Sequence, residues 1–232
     1  MTNISANLQA VNARISAAAR AAGRAPESVR LLAVSKAWPA ARVREAAACG
    51  QRAFGENYLQ ESSAKIAELA DLDLEWHFIG PLQSNKTRAV AERFDWVHAI
   101  EREKIAARLS AQRPAGMPPL QVCLQVNVSG EAAKSGVAPA QVQTLARAVA
   151  VLPGLRLRGL MTIPEAEGDE ALLRRRYALL RQLLQRLNGE GMALDTLSMG
   201  MSHDLEAAIA EGATIVRVGT AIFGARTNRG TL

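Results

Sequence analysis

A lysine at the end of an apolar segment is the first residue of this sequence that could do covalent chemistry. Lys36 follows Leu31–Ser35, a short run typical of a buried strand. An amine partly withdrawn from water is uncharged for part of the time, and it can then attack a carbonyl carbon and form a Schiff base. A surface lysine whose stem lies along apolar residues is the competing interpretation, and Lys36 considered alone favours it.

Polar residues also mark the next apolar segments. Asn57 ends the run Phe54–Asn57 and offers a neutral donor and acceptor to a cofactor hydroxyl, or an N-cap to a helix that starts at Leu59. His77 and His98 each lie within an apolar segment. For both we prefer a hydrogen-bonded core histidine over a catalytic base.

The last part of the sequence has the features of a phosphate site. Ser202 precedes a predicted helix, and Gly219 and Thr220 follow the last apolar segment. Free N–H groups and the helix dipole both favour an anion at such places, and a glycine lets the backbone approach it closely. Simple capping by Ser202 is the alternative.

An arginine lies beside these residues. Arg217 is two positions before Gly219, so both lie on the same side of their strand. In a barrel that side is the interior, where an arginine is costly without a partner. A lysine amine, a phosphate site and an arginine together suit an aldehyde that carries a phosphate, and pyridoxal 5'-phosphate (PLP) is the ligand that we predict.

A regular alternation of strands and helices positions these residues. The predicted strands are Arg30–Lys36, Ala53–Asn57, Leu74–Gly80, Trp96–Ile100, Leu120–Ser129, Arg156–Ile163, Asp195–Met201 and Ile215–Phe223. The predicted helices are Ile4–Ala22 before the first strand, then Pro39–Cys49, Leu59–Leu69, Ser84–Arg93, Glu101–Gln112, Pro139–Val151, Asp169–Asn188 and His203–Glu211.

This alternation predicts an α/β fold with a parallel sheet, and eight such units predict a closed (β/α)8 TIM barrel with an extra N-terminal helix. Functional residues of that fold gather at the C-terminal ends of the strands. An open, doubly wound sheet is the alternative. It often carries a G-x-G-x-x-G turn after its first strand, and here the corresponding segment is Ser35–Pro39.

Composition narrows the class of protein. The chain has 232 residues, of which 49% are hydrophobic, and this fits one globular domain over residues 1–232. The net charge of +6 comes without zinc-finger spacing or interleaved basic and aromatic residues, so we predict no nucleic-acid partner. No run of 18 apolar residues and no secretory signal are present. With Cys49 and Cys123 predicted to be buried free thiols, we expect a cytoplasmic protein without a membrane partner.

Several motifs resemble one known family. They are VSK at 34–36, FGENY at 54–58, HFIGPLQSNK at 77–86, NVSGE at 127–131, KSG at 134–136, SMGMSHD at 198–204 and RVGT at 217–220. In this order they resemble the pyridoxal phosphate homeostasis protein family from about residue 5 to residue 226. We see no motif position that departs clearly from the family.

The resemblance implies a fold-type III barrel, like the N-terminal domain of alanine racemase, with PLP as a Schiff base on Lys36. It implies Arg217 against the pyridine nitrogen and Asn57 near the ring. The residues implied around the phosphate are Ser202, Gly219 and Thr220, and those implied to line the pocket are Ser198 and Met199.

The function that we predict is a PLP carrier in intracellular PLP homeostasis, without appreciable turnover. The resemblance implies that a racemase would need a second domain with a tyrosine acid/base. We expect no such group here, with Tyr177 in a surface stretch of its helix. A small PLP-dependent racemase, using His203 or Tyr58, and a phosphate-binding isomerase or lyase without PLP remain alternatives. We expect a monomer, PLP-dependent apo-enzymes as possible recipients, and Lys86 or Lys134 as guesses for a second PLP site.

Overall fold

The computed structural model describes residues 3–130, 135–165 and 169–225. Within these ranges the strands are β1 Arg30–Val34, β2 Ala53–Glu56, β3 Glu75–Phe78, β4 Trp96–Ile100, β5 Leu120–Gln125, β6 Leu155–Met161, β7 Thr196–Ser198 and β8 Ile215–Val218. The helices are α1 Ile4–Ala21, α2 Ala40–Ala48, α3 Leu59–Glu68, α4 Thr87–Arg93, α5 Glu103–Gln112, α6 Val142–Ala150, α7 Glu170–Gly189, α8 Leu205–Ala210 and α9 Thr220–Phe223. Short 3₁₀ turns occur at Pro26–Ser28, Ser84–Lys86 and Pro139–Gln141.

The eight strands close into one parallel barrel. Each strand pairs with the next in the sequence, and β8 pairs with β1 through Leu32 opposite Arg217. Helices follow the strands and cover the outside, as a parallel sheet requires. The closure confirms the predicted (β/α)8 barrel, and the open doubly wound sheet is wrong.

Successive residues of a strand belong to different layers of the molecule. In β1, Leu31 and Ala33 join the large core between sheet and helices, whereas Leu32 and Val34 join a separate cluster. Because side chains alternate along a strand, the separate cluster lies inside the barrel. Each strand can therefore hold a polar group inside while its outer face remains apolar.

The predicted leading helix is present as α1. The Asn3 side chain caps it by accepting from the N–H of Ala6 at 3.0 Å. Its buried face has helical spacing and consists of Ile4, Leu8, Val11, Ile15 and Ala19. This face packs α1 against α8 and α9, beside the C-terminal end of the barrel.

The sequence analysis was wrong about the end of the last strand and about the burial of one cysteine. The last strand was predicted to continue to Phe223, but it ends at Val218 and α9 follows. The Gly219 carbonyl turns out of the ladder and accepts from the N–H groups of Ile222 and Phe223 at 2.9 and 3.0 Å. Both cysteines are free thiols, but Cys49 is exposed.

No helix in the described ranges combines the length and the apolar character needed to cross a bilayer.

Candidate functional site

A cavity of about 230 Å³ opens where the C-terminal ends of the strands meet. Its lining includes six of the eight predicted site residues: Lys36, Asn57, Ser202, Arg217, Gly219 and Thr220. The other lining residues are Val34, Trp38, Ile79, Ile163, Met201, His203 and Gly224. Residues from six strand ends thus surround one space, as expected for this fold.

Lys36 lies just beyond β1 in a tightly held turn. The preceding residue, Ser35, still donates its N–H to the Gly55 carbonyl at 3.0 Å. The following residue, Ala37, has a φ of +64°, a left-handed conformation that is uncommon for a residue with a side chain. Such a conformation persists where surrounding contacts enforce it.

Those contacts come from Lys65 on α3. Its ammonium donates to the Ser35 carbonyl at 2.9 Å, to Glu56 Oε1 at 2.6 Å and to Glu61 Oε1 at 2.9 Å. Glu61 Oε1 in turn accepts from the Ala37 N–H at 2.7 Å. We call Ser35, Glu56, Glu61 and Lys65 the lysine clamp, since it fixes the backbone on both sides of Lys36.

The lysine clamp is buried and charged. Glu56 and Lys65 have side-chain exposures of 0% and 3%. Burial raises the pKa of Glu56, while Lys65 and the Ser35 hydroxyl oppose that rise. Our sequence analysis missed this cluster. The available signals were Glu56, which directly precedes Asn57 at a strand end, and Lys65 four residues after Glu61 on one helix face.

Asn57 lines the cavity and contains an unsatisfied polar atom. Its Oδ1 is buried and has no hydrogen-bond partner among the described residues. The N-cap position of α3 is occupied by Tyr58, whose side chain makes no capping hydrogen bond. The alternative that Asn57 caps this helix is therefore wrong. Gly80 fits against Asn57 because a Cβ at position 80 would collide with the Asn57 carbonyl oxygen.

The part of the cavity predicted to bind phosphate consists of the loop after β7 and the turn after β8. Gly219 lies between β8 and α9, and a Cβ at this position would lie 3.1 Å from the Val34 carbonyl oxygen. Ser202 and Thr220 add hydroxyl groups to the same cavity. Asp204 is the N-cap of α8, so the structure does not use Ser202 as its cap.

Three side chains hold the loop after β7. Arg14 of α1 donates to the Ser202 carbonyl at 3.1 Å, and Asp204 accepts from the Met201 N–H. The Tyr177 hydroxyl donates to Asp204 Oδ2 at 2.9 Å. The expectation of a surface Tyr177 was therefore wrong. The ring is fully buried, and burial, followed by the neighbouring Asp204 charge, raises the pKa of its phenol.

Arg217 is buried, with 4% of the residue exposed, and its partners are neutral. One terminal nitrogen donates to the Ser198 carbonyl at 2.6 Å and to the Ser198 hydroxyl at 2.9 Å. The other donates to the Thr162 carbonyl at 2.8 Å. Burial lowers the pKa of Arg217, but a guanidinium stays protonated in proteins. The cavity therefore contains a fixed positive charge.

The structure does not bring Ser198 and Met199 to the cavity surface. Ser198 faces the barrel interior and contacts Arg217. Met199, the next residue, is fully buried and belongs to the large core between sheet and helices. Met201 takes the place at the cavity that the sequence analysis gave to Met199.

The remaining sequence candidates lie elsewhere. His77 and His98 are buried hydrogen-bonded residues of the barrel interior, which confirms the preferred interpretation. Lys86 lies on a 3₁₀ turn and does not line the cavity. Lys134 lies outside the described residues.

The comparisons with known proteins agree with this geometry. The family model for the N-terminal domain of alanine racemase matches residues 6–227. The pyridoxal phosphate homeostasis protein of Pseudomonas aeruginosa is 66% identical over 97% of both chains. The protein of the same name from Escherichia coli K12 is 54% identical over 97% of this chain and 98% of the relative.

Solved structures add a relative with a ligand. PipY of Synechococcus elongatus PCC7942 with PLP bound is 40% identical, with a TM-score of 0.84 over 96% of this chain and all of that chain. Alanine racemase from Corynebacterium glutamicum is 18% identical, with a TM-score of 0.66 over 97% of this chain and 63% of that chain, and it shows the fold alone. The chain belongs to the pyridoxal phosphate homeostasis proteins, a family built on the barrel of the alanine racemase N-terminal domain.

Proposed function

We propose that this chain binds PLP as a Schiff base on Lys36 and acts in PLP homeostasis by buffering and delivering the cofactor, without appreciable enzymatic turnover. The observation that carries the proposal is that one cavity is lined by Lys36, by Arg217 and by three residues suited to a phosphate, namely Ser202, Gly219 and Thr220. The PLP-bound structure of PipY, 40% identical, supports it.

The residues present fit this cofactor. PLP supplies a reactive aldehyde, an aromatic ring and a phosphate. The cavity offers an amine at Lys36, an orphaned buried oxygen at Asn57, and two hydroxyl groups beside Gly219, whose lack of a Cβ leaves room at the backbone. Each chemical feature of the ligand thus has a matching group.

The residues hold the cofactor in different ways. Lys36 provides the covalent attachment, and the lysine clamp fixes its backbone. Ser202, Thr220 and the Gly219 N–H bind the phosphate, since hydroxyl and backbone donors suit an anion. Arg217 would lie against the pyridine nitrogen. A fixed cation beside that nitrogen disfavours ring protonation, and this makes the ring a poorer electron acceptor.

The lack of turnover rests on the other groups near the cavity. Among the described residues that line it, His203 is the one remaining side chain suited to proton transfer, and it is exposed to solvent. The Tyr177 hydroxyl is engaged by Asp204. A racemase needs acid/base groups on both faces of a substrate carbon, and a water-exposed histidine serves this role poorly.

The absorption spectrum of the purified protein tests the cofactor assignment. We expect a visible band that Lys36→Ala abolishes and that Lys86→Ala, which removes a lysine outside the cavity, leaves unchanged. A wild-type protein that gives no band even after addition of PLP would contradict the assignment. It would instead favour a phosphate-binding barrel without PLP.

Exchange of the α-proton of amino acids in deuterated solvent tests the lack of turnover. We expect no exchange above a protein-free PLP control, and robust exchange would make the racemase alternative correct.

Delivery is measured as activation of a purified PLP-dependent apo-enzyme by the loaded protein. We also propose a cytoplasmic location and a monomer, which cell fractionation and analytical ultracentrifugation would check.

A further inference from the structure

A continuous chain of hydrogen-bonded side chains runs through the barrel interior. Glu75 Oε1 contacts His77 Nε2 at 2.5 Å, and His77 Nδ1 contacts His98 Nε2 at 2.9 Å. His98 Nδ1 contacts the Ser198 hydroxyl at 2.8 Å, and that hydroxyl accepts from Arg217 at 2.9 Å. We call these five residues the interior chain.

The interior chain joins the two ends of the barrel. Glu75, the first residue of β3, lines a cavity of about 670 Å³ at the N-terminal ends of the strands. Arg217 lines the smaller cavity at the opposite end. The three residues between them have 0–1% exposure, so water does not interrupt the connection.

The carboxylate of Glu75 determines how the protons are arranged at its end. Burial raises its pKa, but His77 and Arg30 outweigh this effect and lower it to about 2. An ionised carboxylate can only accept hydrogen bonds. His77 must therefore carry its proton on Nε2, and its Nδ1 is left as an acceptor.

The proton positions of the other residues, as far as Arg217, follow in the same way. Burial lowers the pKa of both histidines, so each ring is neutral at pH 7 and carries one proton. His98 must donate from Nε2 to His77, which leaves His98 Nδ1 to accept from the Ser198 hydroxyl. The Ser198 oxygen then accepts from Arg217, which has only donors. Every proton of the interior chain is donated toward Glu75.

We propose that Glu75 is a positioning residue for Arg217, acting across the barrel through His77, His98 and Ser198 by fixing this single direction of donation. The proposal rests on the proposed function, because Arg217 is the residue assigned to the pyridine ring. Ser198 is the critical link: its hydroxyl can accept from Arg217 in a stable orientation only while its own proton is taken by His98. Stacking of His77 on Trp96, with ring centroids 5.3 Å apart and planes 8° apart, keeps the first ring in line.

The proton arrangement can be measured directly in the apo-protein. Long-range ¹H–¹⁵N spectra of the imidazole rings distinguish the two neutral tautomers from the cation. We expect His77 and His98 both to be neutral with the proton on Nε2. A charged ring, or a proton on Nδ1 of either one, would overturn the proposal.

The effect on the cofactor is measured by titrating apo-protein with PLP and following the visible band. Glu75→Gln replaces the terminal acceptor by an amide that can also donate, so the direction is no longer fixed. We expect its PLP dissociation constant to rise about 3- to 10-fold, the size expected when one charge-assisted hydrogen bond is misoriented. The matched control is Arg30→Gln, which breaks the 2.8 Å ion pair with Glu75 but keeps the carboxylate on His77. It should change the dissociation constant less than about twofold.

A double-mutant cycle separates the interior chain from general destabilisation. If Glu75 acts through Ser198, the variant with Glu75→Gln and Ser198→Ala should bind PLP no more weakly than Ser198→Ala alone. Additive losses, or an unchanged dissociation constant in Glu75→Gln, would refute the coupling while the wild-type band still supports PLP binding. A wild-type protein without any band would refute both the coupling and the proposed function.

Discussion

At the scale of single residues, Lys36 depends on a buried ion pair that helps to hold the backbone beside it. Lys65 neutralises Glu56 and holds the Ser35 carbonyl, while Glu61 holds the Ala37 N–H. A buried pair of this kind adds little net stability over apolar residues, but removing one partner leaves an uncompensated charge. The clamp is thus better understood as a device for geometry than as a source of stability.

We expect Lys65→Met to lower the free energy of unfolding by about 3 kcal/mol or more, because Glu56 would remain buried without its cation. Chemical denaturation at neutral pH measures this. The control is Lys104→Met, since Lys104 is an exposed residue of α5, and this variant should stay within about 0.5 kcal/mol of wild type. Equal losses in the two variants would show that the clamp does not depend on the Lys65 charge.

The sequence revealed the residues that line the cavity better than those that support them. Lys36, Arg217 and Gly219 could be predicted because they lie at or just beyond the ends of strands, and the strand ends of a parallel barrel meet on one side. Glu56 and Lys65 meet only after α3 has packed beside β1 and β2. The spacing of Glu61 and Lys65 indicates a pair on one helix face, but it indicates neither burial nor the contact with Glu56, so this contact could not be predicted.

At the scale of elements, α1 supports the site from outside the barrel. Arg14 binds the Ser202 carbonyl and forms a two-pronged ion pair with Glu206 at 2.9 and 3.0 Å. Asn7, about two turns earlier, donates to the Ile222 carbonyl of α9 at 2.8 Å. The helix that precedes the barrel therefore holds both segments assigned to the phosphate.

We expect Arg14→Ala to weaken PLP binding about 3- to 10-fold, because the loop that carries Ser202 loses its bond to α1. Titration with PLP measures this loss. Arg20→Ala changes an exposed arginine in the last turn of the same helix and should leave binding unchanged. Similar binding in the two variants would mean that α1 does not position the loop.

The order of elements was predictable, whereas the ends of several were not. The alternation of short apolar runs with helical periodicity is strong over the whole barrel, and it predicted every strand. The run Thr220–Phe223 is short, apolar and β-branched in part, so its periodicity is compatible with either a strand or a helix. The hydrogen bonds to the Gly219 carbonyl make this run a helix, and they form only in the folded chain.

At the scale of the whole molecule, the two buried histidines link folding to pH. Burial lowers the pKa of His77 and His98 in the folded protein, whereas both regain an ordinary value of about 6.5 on unfolding. Below about pH 6.5 the unfolded chain therefore binds more protons than the folded one. The stability that the two neutral histidines contribute is fully present above that pH. It is lost as the pH falls toward the lower pKa values of the folded protein.

We expect the free energy of unfolding to fall between pH 7.5 and 5.5, by up to about 1.4 kcal/mol per pH unit for each histidine below its unfolded pKa. Urea denaturation across this range measures it. His98→Gln should reduce the slope, and His203→Gln, which removes an exposed histidine, should not. A slope equal to wild type in His98→Gln would contradict the buried neutral state.

The neutral partners of Arg217 have a kinetic consequence. The bonded partners of this guanidinium within the described ranges are two carbonyl groups and a hydroxyl, so none of them is a carboxylate that would cancel its charge. The field of the arginine therefore extends into the cavity mouth. A phosphorylated ligand should be drawn toward that field over a distance comparable with the Debye length. Raising the ionic strength should therefore slow capture of PLP in stopped-flow experiments while its release rate changes little. The protein would then load quickly in dilute salt and unload at a pace set by its covalent bond.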